Sequence, residues 1–178
     1  MMKKIKTCCF TGHRPQSFSF KFDETHPDCM RIKHVLKKSI KTLISKFSVQ
    51  HFISGMALGV DMWAAEAVLS LKQDYPHITL ESALPCETQA VRWNLESRER
   101  YYSILAKCDK ETMLQKHYTP SCMQERNKYM VNNSDYVIAV WNGNRGGTGN
   151  TVRYALSKNK TVICIDPITT NVKELQTL

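Results

Sequence analysis

All seven glycines of this chain fall in three short stretches, and each stretch follows an apolar, β-branched run and precedes a helical pattern. Gly12 closes the first run, Gly55 and Gly59 follow the second, and Gly143, Gly146, Gly147 and Gly149 follow the fifth. The turns that lead from helices back into strands contain none. Glycine confined to one kind of connection points to a parallel sheet, whose strand C-termini all reach the same edge. The runs read as strands are IKTCCFTG, QHFISG, HITLESAL, KETMLQ, YVIAVW and TVICID, with helices expected near residues 29–47, 61–74, 95–108, 121–133 and 151–159. This alternation predicts an α/β fold, a doubly wound and mainly parallel sheet with helices on both faces. The second helix carries its 3.6-residue period in Ala64, Ala65, Val68 and Leu71 and stops before Pro76. The fourth opens on a capping box, Ser121 with Gln124, directly after Pro120.

No repeat, low-complexity tract or Pro/Gly linker divides the 178 residues, so one domain over 1–178 is expected. A hydrophobic share of 42% is enough for a real core. The net charge of +9 would suit a nucleic-acid or phosphate-bearing partner, but the lysines are scattered (Lys3, Lys4 and Lys6; Lys37, Lys38, Lys41 and Lys46; Lys158 and Lys160), and a solvated surface is the preferred reading. Cys8, Cys9, Cys29, Cys86, Cys108, Cys122 and Cys164 show no CxxC pair and no zinc spacing, so they read as small apolar fillers in a reducing compartment. The opening MMKKIKTCCFTGH starts with lysines as a signal peptide would, but Lys6, Thr7, Gly12 and His13 break its apolar stretch. No run approaches the roughly 18 apolar residues of a membrane helix. A cytoplasmic protein with no membrane partner is expected.

The glycine loops share the sheet edge where open α/β folds bind ligands. Glycine lets backbone N–H groups approach an anion closely, and a helix N-terminus beneath adds roughly half a positive charge. GGTGNTV is not a dinucleotide GxGxxG, since Val152 stands where the third glycine would be, and no GxxxxGK[ST] occurs. What remains is a loop of Gly146, Gly147 and Gly149 interleaved with Thr148, Asn150 and Thr151, suited to a phosphate or a ribose. Asn150 or Thr151 would equally serve as the helix cap. His13 and Arg14 follow Gly12 at the same edge, where a guanidinium can hold a phosphate bidentately. Asp61 opens the second helix and is read as its N-cap in preference to a catalytic acid. Arg126, between Glu125 and Asn127, either meets the ligand or ties helix to loop. Trp93, Tyr101 and Tyr102 can stack on a base but suit a lid or a core as well. The histidines form no HExxH or other metal set, and no metal or required cofactor is expected.

SGMALGVDMWAAEAVL (54–69) resembles the SG-x-A-x-G-[VI]-D segment of the Smf/DprA proteins, and MQERNKYMVNNSDYVIAVWNGNRGGTGNT (123–151) resembles the M-x-x-R-[KN]…SD…GG-x-G stretch of the LOG phosphoribohydrolases. With TGHRP (11–15), RW (92–93) and GGTGNTVRYA, the match is nearest to the YpsA-like branch of the SLOG superfamily. The resemblance implies a Rossmann-like fold with strand order 4-3-2-1-5-6, and a pocket for a nucleotide-derived ligand of ADP-ribose, NAD or nucleoside-monophosphate type. It adds Ser54, Gly55, Gly59 and Asn127 to the ligand-binding candidates. It also implies a catalytic arginine and glutamate, as in the LOG enzymes. Arg126 matches the arginine, but the glutamate falls on Arg153 and the threonine of that pattern on Asn150. An oxocarbenium-like centre needs a carboxylate nearby, where this chain has a cation.

The leading expectation is therefore a binding or sensor protein with no assigned catalytic residue. An N-glycosidase in which Asp61, Glu87 or Glu125 replaces the missing carboxylate is the second reading. A single-stranded DNA binder is the third, weakened because no basic and aromatic residues interleave as stacking grooves require. A homo-oligomer is compatible with each.

Overall fold

The computed structural model describes residues 5–176; Lys3 and Lys4 lie outside the described residues. Seven strands form one sheet: β1 (Lys6–Gly12), β2 (Val49–Ser54), β3 (Thr79–Leu84), β4 (Lys110–Met113), β5 (Tyr136–Val140), β6 (Thr161–Ile165) and β7 (Val172–Leu175). Five helices connect them: α1 (Pro27–Phe47), α2 (Val60–Leu71), α3 (Leu95–Leu105), α4 (Cys122–Asn132) and α5 (Gly147–Ser157). The spatial order is β4-β3-β2-β1-β5-β6-β7. It agrees with the expected 4-3-2-1-5-6 and adds a strand beyond it. All pairings are parallel except β6 with β7, which is antiparallel.

Neighbouring residues of β1 serve opposite faces. Cys8 and Phe10 pack with Ile32, Leu36 and Ile40 of α1 and Val60, Ala64 and Val68 of α2. Cys9 packs with Met130 and Val131 of α4 and Val152 and Ala155 of α5. A strand with helices over both faces is apolar at every position, and Cys8, Cys9 and Phe10 are all 0% exposed. All seven cysteines are free thiols. Burial pushes the Cys8 and Cys9 thiols up, Cys9 to about 12, which makes them inert fillers.

Three local expectations change. Ser121 precedes α4 with helical backbone angles and its side chain makes no capping bond, because an N-cap needs an extended backbone to turn its oxygen onto the first turn. Helix α2 is capped by Gly59, not Asp61, and α5 begins at Gly147, one turn before Thr151. Asn150 and Thr151 therefore lie inside α5, and neither caps it. The α1 terminus was not foreseen in detail: Pro27 opens the helix, and His26 accepts from the Asp28 N–H at 3.2 Å.

The chain leaves the sheet centre in opposite directions from β1, through α1 to β2 on one side and after β5 through α5 to β6 on the other. The crevice at this reversal lies between the C-terminal ends of β1 and β5, where Gly12 pairs with Val140.

Candidate functional site

A cavity of about 440 Å³ opens over that crevice. Of the residues named from sequence, Gly12, His13, Arg14, Asp61, Arg126, Asn127, Gly146, Gly147, Thr148 and Gly149 line it. Asn150 and Thr151 line an adjoining cavity of about 240 Å³ that shares Met123, Asn127 and Gly147 with the first. Ser54, Gly55 and Gly59 line neither.

The glycines have different physical reasons. A Cβ on Gly12 would stand 2.5 Å from Val60 Cβ, so this glycine lets the start of α2 pack onto β1. Gly59 has φ +88° and would bring a Cβ within 3.0 Å of the Pro15 ring. A Cβ on Gly55 would meet Arg126 Cζ at 2.6 Å and Asp61 Oδ2 at 2.8 Å, so Gly55 makes room for two buried charges. Gly149 allows the Asn144 carbonyl to approach its own helix turn, at 2.8 Å from a Cβ position. At Gly143, Gly146 and Gly147, by contrast, a Cβ would meet nothing within 4 Å among the described residues. Gly146 and Gly147 are thus open where they line the cavity, while Gly12 and Gly149, which also line it, serve packing as well.

Arg126 is 2% exposed and Asp61 7% exposed. Arg126 donates through Nη1 to the Gly55 carbonyl and through Nε to Asn127 Oδ1 at 2.8 Å. Asp61 accepts from the Ala57 N–H at 3.3 Å, and its own carbonyl accepts from Ser54 Oγ at 2.8 Å. Burial pushes the Asp61 carboxyl up, with Arg126 and then Arg14 pulling it back toward the ionised form. Burial likewise pushes Arg126 down, against the support of Asp61. Each charge is thus the main compensation for the other, and Arg126 does tie helix to loop while lining the cavity. Ser54 works behind them: it also accepts from the Met56 N–H at 3.1 Å and fixes the loop that carries Asp61.

Across the cavity, Asn127 Nδ2 donates to Thr151 Oγ1 at 3.1 Å, and Thr151 Oγ1 donates to the Gly147 carbonyl at 3.0 Å, linking α4 to the first turn of α5. His13 Nε2 lies 3.0 Å from Asn142 Oδ1, joining the loops that follow β1 and β5. The sequence reading missed Arg145, Asn142 and Asn144, which also line the cavity. Only their place in the glycine-rich loop signalled them. Helix α5 starts with neither a side-chain cap on its Gly146 N-cap nor an acidic residue in its first turn. The first residues of this helix line the same cavity as Arg14 and Arg145. Arg153 is exposed, lines neither cavity and donates to Oδ1 of Asn150 in the wall of the adjoining one. Of the three carboxylates that could replace the absent glutamate, Asp61 alone lines the cavity; Glu125 pairs with Lys128 and Glu87 is exposed. Among the described residues no group of three or more His, Cys, Asp or Glu is arranged to hold a metal ion.

A doubly wound, mainly parallel α/β sheet with a crevice at its switch point defines a Rossmann-like protein. The YpsA model, described as the YspA SLOG family, matches residues 8–169, and the chain belongs to this family. It is 31% identical over 142 residues to the SPbeta prophage-derived protein YoqJ of Bacillus subtilis, covering 73% of this chain and 83% of that one. A UPF0398 protein of Brevibacillus brevis is 33% identical over 146 residues, 81% of this chain and 77% of the relative. Among solved structures, DNA processing protein A (DprA) of Streptococcus pneumoniae is similar with a TM-score of 0.62 at 15% identity, covering 91% of this chain. The chain spans half, 50%, of that protein's length. DprA of Helicobacter pylori, whose structure is described for its single-stranded DNA binding mode, gives 0.60 at 17% identity over 94% of this chain and 68% of that one. At such identities the likeness speaks for the fold. Among the described residues, no helix is long and apolar enough to cross a membrane.

Proposed function

We propose that this protein is a cytosolic binding or sensor domain for a nucleotide-derived ligand of ADP-ribose, NAD or nucleoside-monophosphate type, whose phosphate rests on the first turn of α5. The observation that carries the reading is the uncapped, acid-free start of α5 facing a cavity flanked by Arg14 and Arg145. Helix α2, whose start also faces the crevice, holds Asp61 in its first turn and has its positive end already compensated. An anion is therefore favoured at α5 and not at α2. Asp61 does not supply the missing hydrolytic carboxylate in this reading, because it is committed to Arg126 and the Ala57 N–H.

ADP-ribose at about 100 times its dissociation constant should stabilise the fold by about 2.7 kcal/mol. For a chain this size that raises the melting temperature by about 5 to 10 °C. No shift with ADP-ribose, NAD or AMP, each at millimolar concentration, would sink the proposal. Release of adenine from AMP that Arg126→Ala abolishes would instead favour a hydrolase.

The DprA likeness and the net charge of +9 favour single-stranded DNA as the second reading. Binding of that kind should run along phosphates and weaken steeply with salt.

A further inference from the structure

A third cavity, of about 560 Å³, lies next to the phosphate crevice and shares Met123 with it. Its walls include Val91, Trp93 and Tyr118. Trp93 is half-buried and braced edge-on against Tyr101, with ring centroids 5.4 Å apart and planes at 87°. Tyr118, between β4 and α4, is 63% exposed, and Val91, between β3 and α3, is 60% exposed. Gln89 also lines this cavity and is 8% exposed. Its Nε2 donates to the Gly55 carbonyl at 3.0 Å, and since a carbonyl only accepts, the amide orientation is fixed. Gln89 Oε1 is then an acceptor, and it is buried with no hydrogen-bond partner among the described residues. A buried carbonyl without a donor is a standing cost that a ligand N–H can remove. The Gly55 carbonyl that holds Gln89 also accepts from Arg126 of the phosphate crevice, so the two cavities are built on one backbone group.

The geometry points to a second subsite in this cavity, which takes a planar nitrogen heterocycle carrying an exocyclic amino group, with its face on Trp93 or Tyr118 and its N–H on Gln89 Oε1. This rests on the phosphate-crevice reading, and makes the ring the base of the same small nucleotide. Oε1 is sealed from solvent, so a wall residue gives way as the ring enters. Met123 is the unbranched, partly exposed one, packed with its Sδ 4.0 Å from Arg126 Nη2. A ring that bears only acceptors on that edge would leave Oε1 unpaired and is disfavoured.

The test uses the full chain and titration calorimetry with five probes. Adenosine and purine riboside, which lacks only the amino group, report on the ring cavity without a phosphate. Adenosine should bind about tenfold more tightly, the worth of one buried hydrogen bond. Gln89→Leu should erase that preference, and the native chain should also bind the third probe, ribose 5-phosphate. Equal affinities for the two nucleosides, or no binding of either, overturn the subsite, and this comparison needs no variant to fold. Loss of ribose 5-phosphate binding alone would instead count against the phosphate crevice. The fourth probe, a deoxyadenosine 10-mer, should bind no more tightly per base than AMP; tighter binding would assign the ring to a strand and overturn the small-ligand assignment.

Discussion

Gly147 is the residue at which ligand binding and folding separate most cleanly. The sequence reading made Gly12, Gly55, Gly59, Gly146, Gly147 and Gly149 alike places where a ligand approaches, yet the spaces around them differ. A Cβ at Gly147 meets nothing within 4 Å among the described residues and the position needs no positive φ, while the methyl groups of a valine would occupy the mouth of the α5 first turn. Gly147→Val should therefore melt within about 1 °C of the native chain, in keeping with the usual size of surface substitutions. The same variant should lose the ADP-ribose shift. A variant that keeps the full shift would make the loop an ordinary turn. Gly55→Ala should behave in the opposite way. Its methyl group runs into Arg126 and Asp61, which cannot retreat without leaving a buried charge unpaired. A loss of about 1–3 kcal/mol is expected from overpacking, read by urea unfolding. No property of the single letter G distinguishes these two positions. The difference comes from Arg126, 71 residues beyond Gly55 in the chain.

At the scale of elements, the central strands were legible because burial on both faces demands apolar runs, as in β1, β2 and β5. Strand β7 was not, since VKEL is a short antiparallel edge whose only buried-side need is to pair with β6. The start of α5 was also hidden. Glycine is a poor helix former, so GGTGN reads as loop although its backbone is helical from Gly147. The largest omission is Glu81, in the middle of β3 and 1% exposed. It accepts from His51 of β2 at 2.9 Å, Thr112 and Lys110 of β4 at 2.7 and 3.1 Å, and Tyr129 of α4 at 2.7 Å. Those partners lie 29 to 48 residues away, and no local spacing announces them. Burial alone would raise the Glu81 pKa, but the bonds from His51, Tyr129, Thr112 and Lys110 outweigh it and bring it from 4.5 to about 2. A depressed carboxylate pKa adds stability above its unfolded value, and that stability is lost as pH falls from about 4.5 toward 2. Such a shift corresponds to about 3 kcal/mol at neutral pH. Glu81→Gln should thus lower unfolding stability at pH 7, and the gap to the native chain should narrow by pH 3. A gap that stays constant with pH would show that packing, not charge, makes the clamp.

For the whole molecule, the net charge of +9 invites nucleic acid, but arrangement matters more than sum. The arginines Arg14 and Arg145 converge on one crevice, whereas Lys37, Lys38, Lys41 and Lys46 lie along α1, on a different part of the fold. Binding of single-stranded DNA should accordingly fall steeply between 50 and 200 mM salt and show no sequence preference. Submicromolar affinity surviving about 200 mM salt would require contacts beyond counterion release. The pairing of β1 with β5 at the sheet centre carries a consequence of another kind, in time. The Thr7 N–H bonds the Asp135 carboxylate at 3.0 Å, so the first strand waits for 128 more residues before its second edge is covered. A chain growing from its N-terminus therefore carries an apolar strand, Cys8 to Thr11, with one open edge for most of its synthesis. Late closure of this sort is slow and prone to association between chains. A fragment ending at Ser134 should precipitate or co-purify as aggregates in size-exclusion chromatography, and adding back residues 135–178 on the same chain should restore a single folded species.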